Sequence, residues 1–262
     1  MASYSDLQTW RHCPRLYGFK LLGYIPAAKP GAITTGELVH AALAGHWGGE
    51  DALAAMAEAE TTNYELLRLI QDYEQRHKAF KEIEKAAKKA KELLARYLNH
   101  WAKDYQPIVA ELELKYDGVT THPDLIALWN GEVVIVDFKT GRSPDVRWLD
   151  MSGQTDLAAF MLGKIGVISE PELIIYDIIS KEGLFRHIRL PRFLSGERLH
   201  QAIKALGELS SDFLSDPHPA FDCPNRCGFF YPCWLLETDS EEACQDYLMA
   251  NYWKKEKEEA KQ

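Results

Sequence analysis

The chain has 262 residues, 46% of them apolar and 26% charged, with a formal net charge of −9. That length suits one large domain or two small ones, and the balance is that of a globular protein rather than a disordered or fibrous one. No apolar run approaches the roughly 18 residues of a membrane span, and Met1-Ala2-Ser3-Tyr4-Ser5-Asp6 lacks the basic-then-apolar pattern of a signal peptide, so a cytoplasmic protein is expected.

In chain order, helix is predicted over 3–12, over 36–47 and through 50–104. The last stretch is rich in Ala, Glu, Lys and Leu, lacks Gly and Pro, and is expected to break near Thr61-Thr62-Asn63. A strand follows over 108–116, with Glu111 and Glu113 alternating with apolar residues. Two short strands then flank Asn130-Gly131, the pair that most strongly signals a two-residue hairpin. A helix is predicted over 148–165, with Gln154 at the end of its apolar stripe. A strand over 172–180, a turn at Lys181-Glu182-Gly183, a strand over 184–190 and a helix over 195–214 capped by Ser195 come next. A Cys-rich loop and a charged helix close the sequence.

The acidic total argues mildly against nucleic acid as a partner, but two stretches run the other way. Residues 1–36 hold Arg11, Arg15, Lys20 and Lys29 against Asp6 alone. Residues 78–96 hold seven cations against three acids, a pattern that equally describes a solvated helix face.

The hairpin carries the chemistry. With a two-residue loop, Trp129 faces Glu132 and Asp124 faces Asp137, which places the two carboxylates on neighbouring positions where like charges repel and a divalent cation removes the penalty. Lys139 shares a face with Asp137. Val133 to Val136 is apolar on both faces, the mark of a strand covered on both sides, where charges at the end need partners. Two carboxylates and a lysine on one face suit a metal-dependent phosphodiesterase.

Of five cysteines, three cluster as Cys223, Cys227 and Cys233. In a cytosolic chain this suggests a metal or iron–sulfur centre. Cys13, which also precedes a proline, is the natural fourth ligand, and Cys244 reads as a bystander. Spacing does not separate zinc from 4Fe–4S.

Together these residues resemble a RecB-type nuclease of the PD-(D/E)XK superfamily, in particular the iron–sulfur members such as CRISPR-associated exonucleases of the "Cas-four" type and their phage relatives. Ser5 to Tyr17 resembles the opening helix and first cluster cysteine, Gly36-Glu37-Leu38-Val39-His40 the Gly-x-x-x-His helix, and Pro123-Asp124 with Asp137-Phe138-Lys139 the core motifs.

The resemblance implies an α/β (α+β) fold: a mixed central sheet flanked by helices, a helical N-terminal region and a C-terminal iron–sulfur cap. The divisions are 1–35, 36–105, 106–214 for the nuclease core and 215–262. It implies Mg or Mn held by His40, Asp124, Asp137 and the Phe138 carbonyl, although periodicity alone makes His40 an ordinary helix histidine. Lys139 would position the attacking water. Gln154 would belong to a Gln-x-x-x-Tyr motif whose tyrosine is here Ala158. Cys13, Cys223, Cys227 and Cys233 would hold a 4Fe–4S cluster, and the first gap in the triplet is one residue longer than is common.

The expected activity is exonucleolytic cleavage of single-stranded DNA ends; Tyr17, Phe19 and Trp148 could offer stacking surfaces, although core packing suits them better. The alternatives are an endonuclease, a zinc-stabilised structural protein, or a DNA-binding subunit of a CRISPR adaptation or phage recombination complex.

Overall fold

A computed structural model describes residues 1–26, 31–70, 73–141, 146–166, 168, 170–208 and 227–254. A two-residue strand β1 (Ala2–Ser3) leads into helix α1 (Tyr4–His12), α2 (Pro14–Leu21) and strand β2 (Tyr24–Pro26). Three helices follow, α3 (Gly31–Gly48), α4 (Ala52–Leu66) and α5 (Tyr73–His100). Strands β3 (Gln106–Ala110), β4 (Leu114–Tyr116), β5 (Val119–Thr121), β6 (Leu125–Trp129) and β7 (Glu132–Gly141) come next. The chain then runs through α6 (Val146–Met151), α7 (Gln154–Ile165), β8 (Leu173–Ser180), β9 (Leu184–Arg189) and α8 (Phe193–Gly207). It continues as α9 (Phe230–Thr238), α10 (Glu241–Asn251) and β10 (Tyr252–Lys254).

The central sheet has the order β3-β6-β7-β8-β9. It is mixed: β7 and β8 run parallel, joined by a crossover through α6 and α7, and the other pairs are antiparallel. The hairpin register is as the sequence predicts, from Trp129 opposite Glu132 to Leu125 opposite Val136. Asn130 (φ 53°) and Gly131 (φ 89°) both take the left-handed conformation that a two-residue turn of this kind requires.

Helices cover both faces of the sheet. Val134, Val136, Phe138, Ile175 and Ile179 pack with Leu38 and Leu43 of α3 and Leu94 and Tyr97 of α5. On the opposite face Ile126 and Ile135 pack with Leu157 and Met161 of α7 and Ile203 of α8. Each fully buried aliphatic side chain contributes about 1.5–3 kcal/mol, which is why β7, with Val134, Ile135 and Val136 all buried, holds its place at the sheet's centre.

Several boundaries differ from expectation. The long helical stretch stays intact through Thr61-Thr62-Asn63, because all three side chains bond back to carbonyls four residues earlier. It breaks instead after Leu66, where a short 3-10 turn spans Leu67–Leu69. The strand expected over 108–116 is two strands, separated where Glu111 adopts φ 47°. The helix expected over 148–165 is divided at Ser152-Gly153, and a side chain at Gly153 would meet Leu199 Cδ1 at 2.2 Å. Helix α8 starts before Ser195 because Asp156 Oδ1 accepts the Arg192 N–H from across the α7–α8 interface. Its expected end at 214 lies outside the described residues.

Candidate active site

Strand β7 outruns β6. The ladder between them ends at Leu125–Val136, and the next free donor on β7, the Phe138 N–H, is taken by Asp124 Oδ2 at 2.7 Å. Asp124 is thereby fixed at the mouth of the hairpin, while Asp137 is buried and ion-pairs with Lys139. Helix α3 comes close to β7 at Gly36, where a Cβ would stand 2.9 Å from Thr140 Oγ1. One turn later His40 lies edge-on to the Phe138 ring, and its Nδ1 is 3.5 Å from Asp124 Oδ2.

Glu111 completes the group. Its left-handed backbone turns the chain at the end of β3, and its N–H donates to the Asp124 carbonyl at 3.0 Å. The ligand atoms of His40, Glu111 and Asp124 all lie within 4.8 Å of one another. Sequence reading places Glu111 in the middle of a strand. Only its corner conformation brings it to the site, and nothing in the local sequence signals that corner.

The charges are poorly reconciled. Asp137 is 4% exposed; burial first, and Asp124 second, push its carboxyl up to about 6, although Lys139 and His40 pull it down. Glu111, at the solvent-facing rim, is raised to about 7 by desolvation of its carboxylate and by Asp124. Burial alone would lower His40 and Lys139, but the neighbouring carboxylates outweigh it and both are raised. Lys139 Nζ is 2.7 Å from Asp137 Oδ2, yet this buried oxygen accepts no aligned hydrogen bond. An acid-rich set of carboxylates with one imidazole suits a hard divalent cation such as Mg or Mn.

The other predicted residues fall as follows. Gln154 is half-buried in the first turn of α7 and has no side-chain hydrogen bond among the described residues. Ala158 is buried in the α7 core. Tyr176, which the sequence does not single out, pairs with Asp137 across β7–β8, and its hydroxyl is 2.7 Å from Thr155 Oγ1 and 3.0 Å from Arg189 Nη2. His122 stands beside Glu113 at the surface.

Tyr17 and Phe19 are core residues, 3% and 1% exposed, so neither offers a stacking surface. Trp148's side chain lies outside the described residues. The basic N-terminal stretch is largely neutralised, since Arg15 is buried against Glu237 and Lys20 pairs with Asp6. On α5, Lys78, Lys81, Lys85, Lys88 and Lys91 are exposed, as on a solvated face.

Cys13 joins α1 to α2, and Cys227 and Cys233 share an apolar cluster with Leu16 and Phe19 of α2. Arg15 Nη1 donates to Cys233 Sγ at 3.4 Å. Cys244 is buried in the same cluster. Cys223 lies outside the described residues.

The family model of the PD-(D/E)XK nuclease superfamily matches residues 1–233. This chain belongs to the PD-(D/E)XK nuclease superfamily. Membership implies metal-dependent nuclease activity, divalent metals as cofactors and DNA as the substrate class. The crystal structure of SSO0001 is similar over 62% of this chain and 78% of that one, at 17% identity and a TM-score of 0.30, a level that adds nothing to the family match. No curated protein matches significantly. Among the described residues of this PD-(D/E)XK nuclease, no helix is long and apolar enough to cross a membrane.

Proposed function

We propose that this nuclease is an exonuclease that hydrolyses single-stranded DNA from free ends. His40, Asp124 and Asp137, joined by Glu111 and the Phe138 carbonyl, would hold Mg or Mn. The observation that carries the metal assignment is the convergence of His40, Glu111 and Asp124, whose ligand atoms all lie within 4.8 Å of one another, with the buried Asp137 carboxyl feeling both Asp124 and His40. A divalent cation there supplies Lewis-acid stabilisation of phosphoryl charge and a nucleophile at neutral pH. Lys139 holds the attacking water in line and offsets charge on the scissile phosphate. Asp124, clamped by the Phe138 N–H, fixes the ligand geometry. Gln154, with a free amide at the start of α7, orients the substrate backbone.

The test is cleavage of end-labelled single-stranded DNA with manganese by the wild type and by Lys139→Ala, with circular dichroism to check the fold. Loss of cleavage in a folded variant supports the assignment, and the product ladder gives polarity. Equal activity in the two proteins refutes it.

The cysteines extend this reading. Cys13, Cys223, Cys227 and Cys233 would ligate a 4Fe–4S cluster, with zinc as the alternative occupant. The packing of Cys227 and Cys233 against the helix that begins beside Cys13 supports a site joining the two ends of the chain. Iron and zinc content after anaerobic purification separates the two occupants. A protein of this kind also suits a CRISPR adaptation or phage recombination complex, where a partner would deliver the DNA end.

A further inference from the structure

Away from the catalytic centre, the elbow between α4 and α5 opens a cavity of about 610 Å³, within the range of ligand sites. Tyr64 and Phe80 form its aromatic inner wall, with ring centroids 5.0 Å apart. At its mouth Tyr73, 72% exposed, lies parallel to His77 with an interplanar angle of 2° and centroids 6.1 Å apart. Arg68 and Arg76 also line it, and neither makes an ion pair or hydrogen bond among the described residues. One carboxylate, Glu65, joins them in the lining. Nearby Glu60 is engaged by the Tyr64 hydroxyl at 3.2 Å.

A large exposed tyrosine lying parallel to an imidazole covers no core, and the two guanidinium groups have no carboxylate partner among the described residues. Flat rings for bases and cations for phosphates are the two parts of a sequence-tolerant single-strand site. We infer that the α4–α5 elbow is a second DNA site, which holds single-stranded DNA by stacking a base on Tyr73 and pairing phosphates with Arg68 and Arg76. This rests on the single-strand reading above.

The site is separate from the chemistry. From Phe80 to Tyr97, which packs edge-on against Phe138 at 5.5 Å, the rise of α5 is about 25 Å. A tetranucleotide has three internucleotide steps, together about 10 Å when stacked at about 3.4 Å each and about 20 Å when stretched to about twice that, so it does not reach from the catalytic centre to the elbow. A thirty-nucleotide strand does.

The experiment measures fluorescence anisotropy of a labelled thirty-nucleotide oligothymidylate in EDTA over a salt series. It compares the full-length wild type, Arg68→Ala/Arg76→Ala and Tyr73→Ala, and follows manganese-dependent cleavage of the tetranucleotide in parallel. Losing two phosphate contacts should lower the magnitude of the salt slope by about 1.4 and weaken binding at least tenfold. Tyr73→Ala should weaken binding by about five- to a hundredfold with the slope unchanged. Tetranucleotide cleavage should be the same in all three proteins.

Unchanged long-strand affinity and slope in both variants overturn the proposal while leaving the nuclease reading intact. Absence of wild-type cleavage refutes that reading instead, and the anisotropy in EDTA still decides the elbow.

Discussion

Replacing Asp137 with asparagine should stabilise the metal-free protein at neutral pH while abolishing its activity. The carboxyl is buried, and burial followed by Asp124 lifts it from 3.8 to about 6 despite the pull of Lys139 and His40. In the unfolded chain it titrates near its ordinary value. Between about pH 4 and pH 6 the folded state therefore holds the extra proton, and stability falls as pH rises; above about pH 6 the whole penalty is present. At about 1.4 kcal/mol per tenfold change in proton affinity, the gap comes to about 3 kcal/mol. Asparagine carries no charge and removes it, which for a chain of this size corresponds to a rise in Tm of about 6–12 °C.

The assay is thermal unfolding in EDTA at pH 4, 6 and 8. The two proteins should melt together at pH 4 and diverge in favour of the variant at pH 8. Millimolar manganese should then narrow or reverse the order, because only the intact ligand set gains stability from the ion. A variant no more stable than wild type at pH 8, or a gap that ignores pH, would refute the claim that the site stores unfavourable charge.

Three further outcomes are expected. Glu111→Gln should raise the manganese concentration for half-maximal cleavage about tenfold or more, measured by metal titration of activity. Gly36→Val should force α3 away from Thr140 and carry His40 with it, weakening metal binding in isothermal titration while far-UV circular dichroism stays native. Asp177→Ala should cost about 3–5 kcal/mol in urea unfolding. Fully buried, Asp177 accepts hydrogen bonds from the Tyr97 and Tyr105 hydroxyls and two from Arg186, whose guanidinium also lies over the Trp101 ring.

The parts of the site that local chemistry dictates were legible in the sequence. Asn130-Gly131 set the hairpin and its register from Trp129–Glu132 to Leu125–Val136, but the ladder ends one pair short of the expected Asp124–Asp137 pair, and Asp124 instead accepts the Phe138 N–H. His40 was legible only through the resemblance, since its periodicity is that of any helix histidine and its role depends on Gly36 admitting α3 to β7. Glu111 and Tyr176 were not legible. The first reaches the site through a backbone corner that no glutamate signals, and the second through the parallel pairing of β7 with β8, which only the completed sheet defines. The intact helix through Thr61-Thr62-Asn63 shows the same limit, because side chains that often end helices here satisfy themselves inside one.

Among the described residues, strand β2 pairs in a sheet with β10 alone, with Pro26 opposite Tyr252 and Tyr24 opposite Lys254. About 226 residues separate those partners in the chain. At about 5–20 residues per second, translation leaves β2 waiting about 11–45 s for the strand that completes it. The hairpin that carries Asp124 and Asp137 closes over two residues and needs no such wait. During synthesis the catalytic strands can pair while the small sheet around β2 is still open, so the nascent chain passes through an interval in which it exposes an unpaired edge.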